Sequence, residues 1–134
     1  MAVTPNSVIT PQSIKTANAV CTAAKTTYDD AAAAVLLLTA GANGGVLYGL
    51  KAVARATVTA TKCQLYRYDG ANYNLIASTV MSAYTMAATS AQAPTDFGFN
   101  ETAPLRLAPG DALYVAIGVA LAGGVVFDAQ YEEL

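Results

Sequence analysis

The chain has 134 residues, a formal net charge of −2 and no histidine. This length suits one domain, and the seven Lys and Arg residues are scattered, so no basic stripe is present to bind nucleic acid. Histidine is the commonest general base and a common metal ligand. Its absence predicts a binding or structural protein that is not an enzyme and has no cofactor or metal.

The N-terminal residues 1–14 combine two prolines with Thr, Ser, Asn and Gln side chains, a composition that suits neither a helix nor an inner strand. We expect an extended N-terminal arm over residues 1–14 and a β domain over residues 15–134. The arm is either a frayed terminus or a segment that docks on a neighbouring molecule. For the second case, the candidate contact residues are Thr4, Pro5, Ile9 and Pro11.

The first half of the chain contains three strand-like stretches separated by turn residues. Residues 15–24 alternate between the two sides of a strand, and residues 35–39 form a short apolar run. Residues 40–45 contain three glycines and an asparagine, which predict a tight reversal. Apolar side chains then fill the even positions of residues 50–60, while the odd positions are mostly polar. A helix would also gather the basic residues of this stretch on one face, but its Thr and Val content favours a strand.

A hairpin is predicted where Asp69 and Gly70 separate a strand over residues 62–68 from a strand over residues 73–80. Three tyrosines lie beside this turn, and they are candidate partner contacts: Tyr66, Tyr68 and Tyr73. Tyrosine gives contact area at low entropy cost, so the cluster is typical of a recognition loop. It is equally consistent with ordinary cross-strand aromatic pairing.

The second half of the chain predicts one long loop and then short strands. Residues 81–94 are rich in Ala, Ser and Thr and predict a loop with one helical turn. Strands are expected over residues 96–100, 104–107, 113–121 and 125–131. The total of about eight strands with no convincing helix predicts an all-β fold. The expected architecture is a single-domain antiparallel β-sandwich, as an eight-stranded jelly roll.

Two apolar runs, residues 31–42 and 112–127, are shorter than a membrane-spanning helix, so we interpret them as buried strands and expect no membrane contact. The two cysteines, Cys21 and Cys63, lie in strand-like stretches and are interpreted as small buried thiols. The nine carboxylates lie mostly at predicted turns, where Asp bonds the local backbone. A small hydrolase with a carboxylate pair remains an alternative, and it requires two acids close together in a cleft.

Four segments resemble small jelly-roll proteins encoded by tailed bacteriophages. These are residues 39–45 (TAGANGG), 54–61 (ARATVTAT), 104–111 (PLRLAPGD) and 113–120 (LYVAIGVA). The similarity extends from about residue 4 to the C-terminus and is carried by turns and strand patterns rather than by a catalytic signature.

The resemblance implies a head decoration (cement) protein, made in the host cytoplasm and placed on the outer surface of the virion capsid. Such a protein binds the lattice of the major capsid protein, clamps neighbouring subunits and self-associates as a dimer or trimer. The family brings no catalytic residues to transfer. The alternative is a phage tail, fibre or head-fibre module that binds a host-surface glycan or another virion protein, with the three tyrosines as its site.

Overall fold

The computed structural model describes residues 13–134, and this part of the chain folds into nine β-strands without a helix. The strands are β1 (Ser13–Cys21), β2 (Val35–Thr39), β3 (Gly45–Ala54), β4 (Thr61–Tyr68), β5 (Tyr73–Met81), β6 (Thr95–Asp96), β7 (Leu105–Leu107), β8 (Ala112–Ile117) and β9 (Val125–Glu133). The described residues therefore contain no helix that could cross a membrane.

The strands form two antiparallel sheets packed face to face, which confirms the predicted β-sandwich. The five-stranded sheet has the order β1-β9-β3, and both β6 and β7 pair with the far side of β3. The four-stranded sheet has the order β2-β8-β4-β5. The strand pairs are nested along the chain: β4 pairs with β5, β3 with β6 and β7, β2 with β8, and β1 with β9.

The core lies between the sheets, and its alternating pattern is clearest in β9. In β9, every second residue from Val125 to Tyr131 is buried, and Phe127 is its largest fully buried member. The facing sheet contributes Leu65 and Val115. These branched and aromatic side chains fit against the pleated surface, where small alanines of β3 leave room for them.

The predicted strand over residues 50–60 ends at Ala54, because the chain meets a neighbouring turn there. Arg55 donates its backbone N–H to the carbonyl of Gly124 at 2.9 Å and its Nε to the carbonyl of Gly123 at 2.8 Å. A Cβ on Gly123 would lie 2.7 Å from the Cβ of Ala56, so the two segments approach closely only because residue 123 is glycine. The contact diverts the chain out of the sheet.

Other boundaries also differ from the predicted ones. The strand expected over residues 113–121 ends at Ile117: the backbone amide of Gly118 still bonds the carbonyl of Lys62 in β4, but that of Val119 bonds the side-chain Thr61 Oγ1 instead of a backbone carbonyl. Residues 81–94 contain no helical turn, and the strand expected over residues 96–100 is limited to Thr95–Asp96.

β1 starts at Ser13, so the β domain begins two residues before the predicted boundary at residue 15. Ser13 and Ile14, which we assigned to the arm, pair with Glu133 and Glu132 of β9. The pairing extends over all nine residues of β1, so Ser13 and Ile14 belong to the sheet and not to the arm. Residues 1–12 lie outside the described part of the chain.

Both cysteines are buried free thiols in the core, as the sequence predicted. Cys21 donates its thiol to the carbonyl of Val115 at 3.3 Å. Burial raises the pKa of Cys21 to about 12 and that of Cys63 to about 11, so both thiols stay protonated near neutral pH.

Candidate functional site

Three tyrosines meet on the face of the four-stranded sheet that points away from the core. We call Tyr68, Tyr73 and Tyr114 the tyrosine patch. The rings of Tyr68 and Tyr73 are stacked, with centroids 4.3 Å apart and planes at 24°. Tyr114 meets Tyr73 edge-on, with centroids 5.2 Å apart and planes at 76°. Both are favourable aromatic arrangements, and all three side chains remain partly exposed.

The Asp69–Gly70 turn sets the position of the first two rings. Asp69 Oδ1 accepts the backbone N–H groups of Ala71 at 3.0 Å and Asn72 at 2.8 Å, and Gly70 has a φ of 98° that favours glycine. The bond from Asn72, followed by that from Ala71, lowers the pKa of the Asp69 carboxyl. The predicted hairpin is therefore confirmed, with Tyr68 paired directly to Tyr73 across it.

A β-bulge in β5 decides which residue faces Tyr68. Leu65 pairs with Ala77, but the next residue, Tyr66, pairs with Leu75, so Ile76 is the extra residue. Without it, Asn74 would lie opposite Tyr68 and Tyr73 would sit beyond the strand pair. The bulge therefore brings the two rings together. Tyr114 was not among the residues predicted from the sequence, and it joins the patch because β8 lies beside β4.

Tyr66, the third predicted contact residue, is not part of the exposed site. It lies on the same face of β4 as Tyr68, but it is fully buried. The segment of residues 22–34 covers it and places Lys25 Nζ 5.0 Å from its ring centroid. Its hydroxyl donates to Gln64 Oε1. Burial raises the pKa of Tyr66 to about 12.

The segment of residues 22–34 is fastened by a buried lysine. Lys25 is 2% exposed, and its Nζ donates to the carbonyls of Asp30 and Ala32, each at 2.8 Å, and to Asp30 Oδ1 at 2.9 Å. These three acceptors satisfy all three ammonium hydrogens. We call this arrangement the lysine clasp. The backbone N–H of Lys25 also bonds the carbonyl of Ile117, which ties the segment to the end of β8.

Asp30 is the acidic partner in the clasp. Its Oδ1 also accepts Thr27 Oγ1 at 2.7 Å and the backbone N–H of Ala32 at 3.1 Å. The hydrogen bond from Lys25, then those from Thr27 and Ala32, lowers the pKa of the Asp30 carboxyl from 3.8 to about 2. The clasp was not predicted, because no local pattern in the sequence shows which lysine a neighbouring segment will cover.

Two grooves of the described residues are shallow surface features. One of about 380 Å³ lies between the end of β5 and residues 91–96, and Asp96 is its only carboxylate. Another of about 480 Å³ lies beside Tyr48 and Leu134, and Glu101 is the carboxylate in its lining. Neither lining holds the carboxylate pair that the hydrolase alternative requires. Within residues 13–134, no three Cys, Asp or Glu side chains cluster as metal ligands do.

Comparison of the chain with protein-family models, curated proteins and solved structures found no match. The structure brings Tyr68 and Tyr73 together as the sequence grouped them, adds Tyr114 and removes Tyr66. The other predicted contact residues, Thr4, Pro5, Ile9 and Pro11, lie outside the described residues.

The clasp predicts a specific acid dependence of stability. The pKa of Asp30 is lower in the folded chain than the 3.8 of a free carboxyl, so its contribution is present above about pH 4 and is lost as the pH falls towards 2. We expect Asp30→Asn to unfold at lower urea concentration than the wild type at pH 6, and to show a smaller further decrease at pH 2.5. Asp29→Asn, at the exposed neighbouring position, is the matched control and should behave as the wild type does. An equal acid-induced decrease in Asp30→Asn and the wild type would contradict the role of the clasp.

Proposed function

We propose that the protein is a structural component of a bacteriophage virion, a head decoration protein that binds the outside of the capsid and stabilises contacts between major capsid subunits. The observation that carries this proposal is the tyrosine patch, which lies on the outward face of a sheet and contains no charged side chain. Tyrosines on a pre-formed surface gain contact area without the entropy cost of ordering a loop, so they suit a permanent contact between structural proteins.

The strand pairing supports a jelly roll as the finer description of the sandwich. A jelly roll results when a long antiparallel hairpin folds over on itself, so that its strand pairs are nested and successive pairs alternate between two sheets. The pairs β1–β9 and β3–β6/β7 lie in one sheet, and β2–β8 and β4–β5 lie in the other. This agrees with the type of fold to which the turn and strand segments bear a resemblance.

A decoration protein needs many modest contacts rather than one tight site. Ligands that bind only the assembled state stabilise it by mass action, and the symmetry of a shell multiplies each contact. Charged residues make up 12% of this chain, about half the usual share, and the tyrosine patch offers an uncharged contact surface. Little desolvation of charge is then needed when such a surface is covered.

Co-sedimentation with capsids that lack the protein is the direct test. We expect saturable binding to expanded capsids at a fixed ratio to the major capsid subunit. The double substitution Tyr68→Ser with Tyr73→Ser should weaken binding by about tenfold or more, since buried aromatic anchors dominate such interfaces. Val53→Ser changes an exposed residue of the other sheet and is the control for fold and solubility. Absence of wild-type binding to either unexpanded or expanded capsids would reject the decoration function.

The proposed docking role of the arm can be tested separately. A chain without residues 1–12 keeps every residue of β1, so it should unfold at the same urea concentration as the full chain. We expect it to bind capsids more weakly. If the truncated chain decorates capsids as well as the full chain, the arm has no docking role. A longer deletion through residue 16 removes four pairs of β1 with β9 and serves as the destabilised control.

The second candidate is a tail, fibre or head-fibre module that binds a host-surface glycan, and the tyrosine patch favours it too, because sugar rings stack on exposed aromatic faces. This candidate predicts glycan-array binding that Tyr73→Ser abolishes and Val53→Ser leaves unchanged. An array with no binding above background would exclude the glycan form of this candidate.

A further inference from the structure

The outer edge of β5 has no partner within residues 13–134. β5 is the last strand of the four-stranded sheet and pairs with β4 alone. No backbone hydrogen bond joins it to another described segment. Thr79 and Val80, near the end of β5, border the groove beside residues 91–96. Along the rest of its length the open side of the strand presents a row of donors and acceptors that a further strand can satisfy.

The composition of β5 leaves this edge unprotected. The strand contains no charged residue and no proline, and it exposes Ile76 at 36% and Val80 at 64%. Proteins usually protect edge strands with charge, proline or short length. The other edges of this sandwich follow that rule: β1 carries Lys15, β2 has five residues with a bulge, and β6 and β7 have two and three residues. The one protecting device in β5 is its bulge at Ile76.

The charge pattern favours a second copy of the chain as the occupant. In an antiparallel pair of identical strands, a residue before the twofold axis pairs with the residue the same number of places after it, so only side chains near the axis lie close to their own counterparts, and a charge there meets a like charge. β5 has none, and it can pair with itself without this repulsion. Its uncharged side chains also offer a charged partner nothing to pair with.

β5 lies away from the strand that follows the chain's own N-terminal segment. β1, which residues 1–12 precede, packs against β2 at one side of the sandwich, whereas β5 lies beside β6 at the opposite side. Three strand spacings of about 4.8 Å each separate β5 from β2. Pairing of β5 with residues 1–12 is the alternative, and removal of these residues distinguishes it from pairing of β5 with itself.

We propose that two copies of the chain dimerise through β5, antiparallel across a twofold axis, and form one continuous eight-stranded sheet. The backbone groups of the open edges pair, and Ile76 and Val80 become covered at the junction. The pairing occupies the β5 edge of both copies, so no β5 edge is left to bind a third copy and the assembly is limited to a dimer. The dimer proposal does not depend on the capsid function. A protein that fails to bind capsids can still dimerise through β5, and a monomeric protein can still bind capsids.

Sedimentation velocity of the full chain over a range of concentrations tests the proposal. We expect twice the mass of the 13.7 kDa chain. Ser78→Lys places a charge at an exposed position of β5 and should weaken the dimer about tenfold or more through like-charge contact. Thr16→Lys makes the same change at an exposed position of β1, the other long edge strand, and should have no effect.

A charge-swap pair makes the experiment specific for self-pairing. Ser78→Lys and Ser78→Glu should each be mainly monomeric alone, and an equal mixture should recover the dimer. Several results would overturn the proposal: a monomer or trimer for the wild type, a Ser78→Lys dimer of unchanged strength, dissociation by Thr16→Lys, or dissociation on removal of residues 1–12. If Ser78→Lys unfolds at the same urea concentration as the wild type, its effect on the dimer is an interface effect and not a folding defect.

Discussion

A buried ammonium group must be matched by acceptors, because an unpaired charge inside a protein costs several kcal/mol. Lys25 meets this requirement with two carbonyls and one carboxylate oxygen, all within a segment of eight residues that starts at Lys25 itself. Forming these bonds fixes the backbone from Lys25 to Ala32 in one conformation. Ala33, the next residue, has a φ of 59°, which is strained for a residue with a Cβ, and it lies in a turn closed by the bond from Ala34 N–H to the carbonyl of Ala31.

The lysine clasp divides the outward face of the four-stranded sheet into two parts. Under the clasp, Gln64 and Tyr66 are fully buried although they point away from the core. Beyond it, the tyrosine patch stays partly exposed. Covering this half of the face costs folding free energy, because Gln64 Nε2 is buried without a hydrogen-bond partner among the described residues. A sheet face that carries four tyrosines thus presents three of them to a partner, and the covering segment decides which three.

Features encoded by a few adjacent residues could be predicted from the sequence. The turn at Asp69 and Gly70 depends on one carboxylate and one positive φ, and the apolar run Val35–Thr39 forms a strand as predicted, although the predicted burial holds only for Leu37 and Leu38 while Leu36 stays 49% exposed. The all-β class follows from many such local signals together.

Features that depend on distant segments could not be predicted. β3 ends at Ala54 because Gly123 lies against Ala56, a contact 67 residues away along the chain. Tyr66 and Tyr68 have the same spacing and the same face, so alternation alone cannot show that one is covered and the other is exposed. Likewise, the bulge at Ile76 has no sequence signal, yet it decides that Tyr73 is the residue that meets Tyr68.

The proposed dimer and the tyrosine patch are linked by the symmetry of antiparallel pairing. A twofold axis between two antiparallel strands runs perpendicular to the sheet, so the same face of both sheets points in the same direction. The two patches would then lie on one side of a continuous sheet, as two equal contact surfaces held at a fixed spacing. A repeating lattice that matched this spacing would be bound by both copies at once, and the second contact would form at high effective concentration. Each patch could then be individually weak, which suits its small size and lack of charge, while attachment of the pair remained strong. A single glycan chain gains no such advantage unless it presents two epitopes at the same separation, so the dimer favours a regular protein surface as the partner.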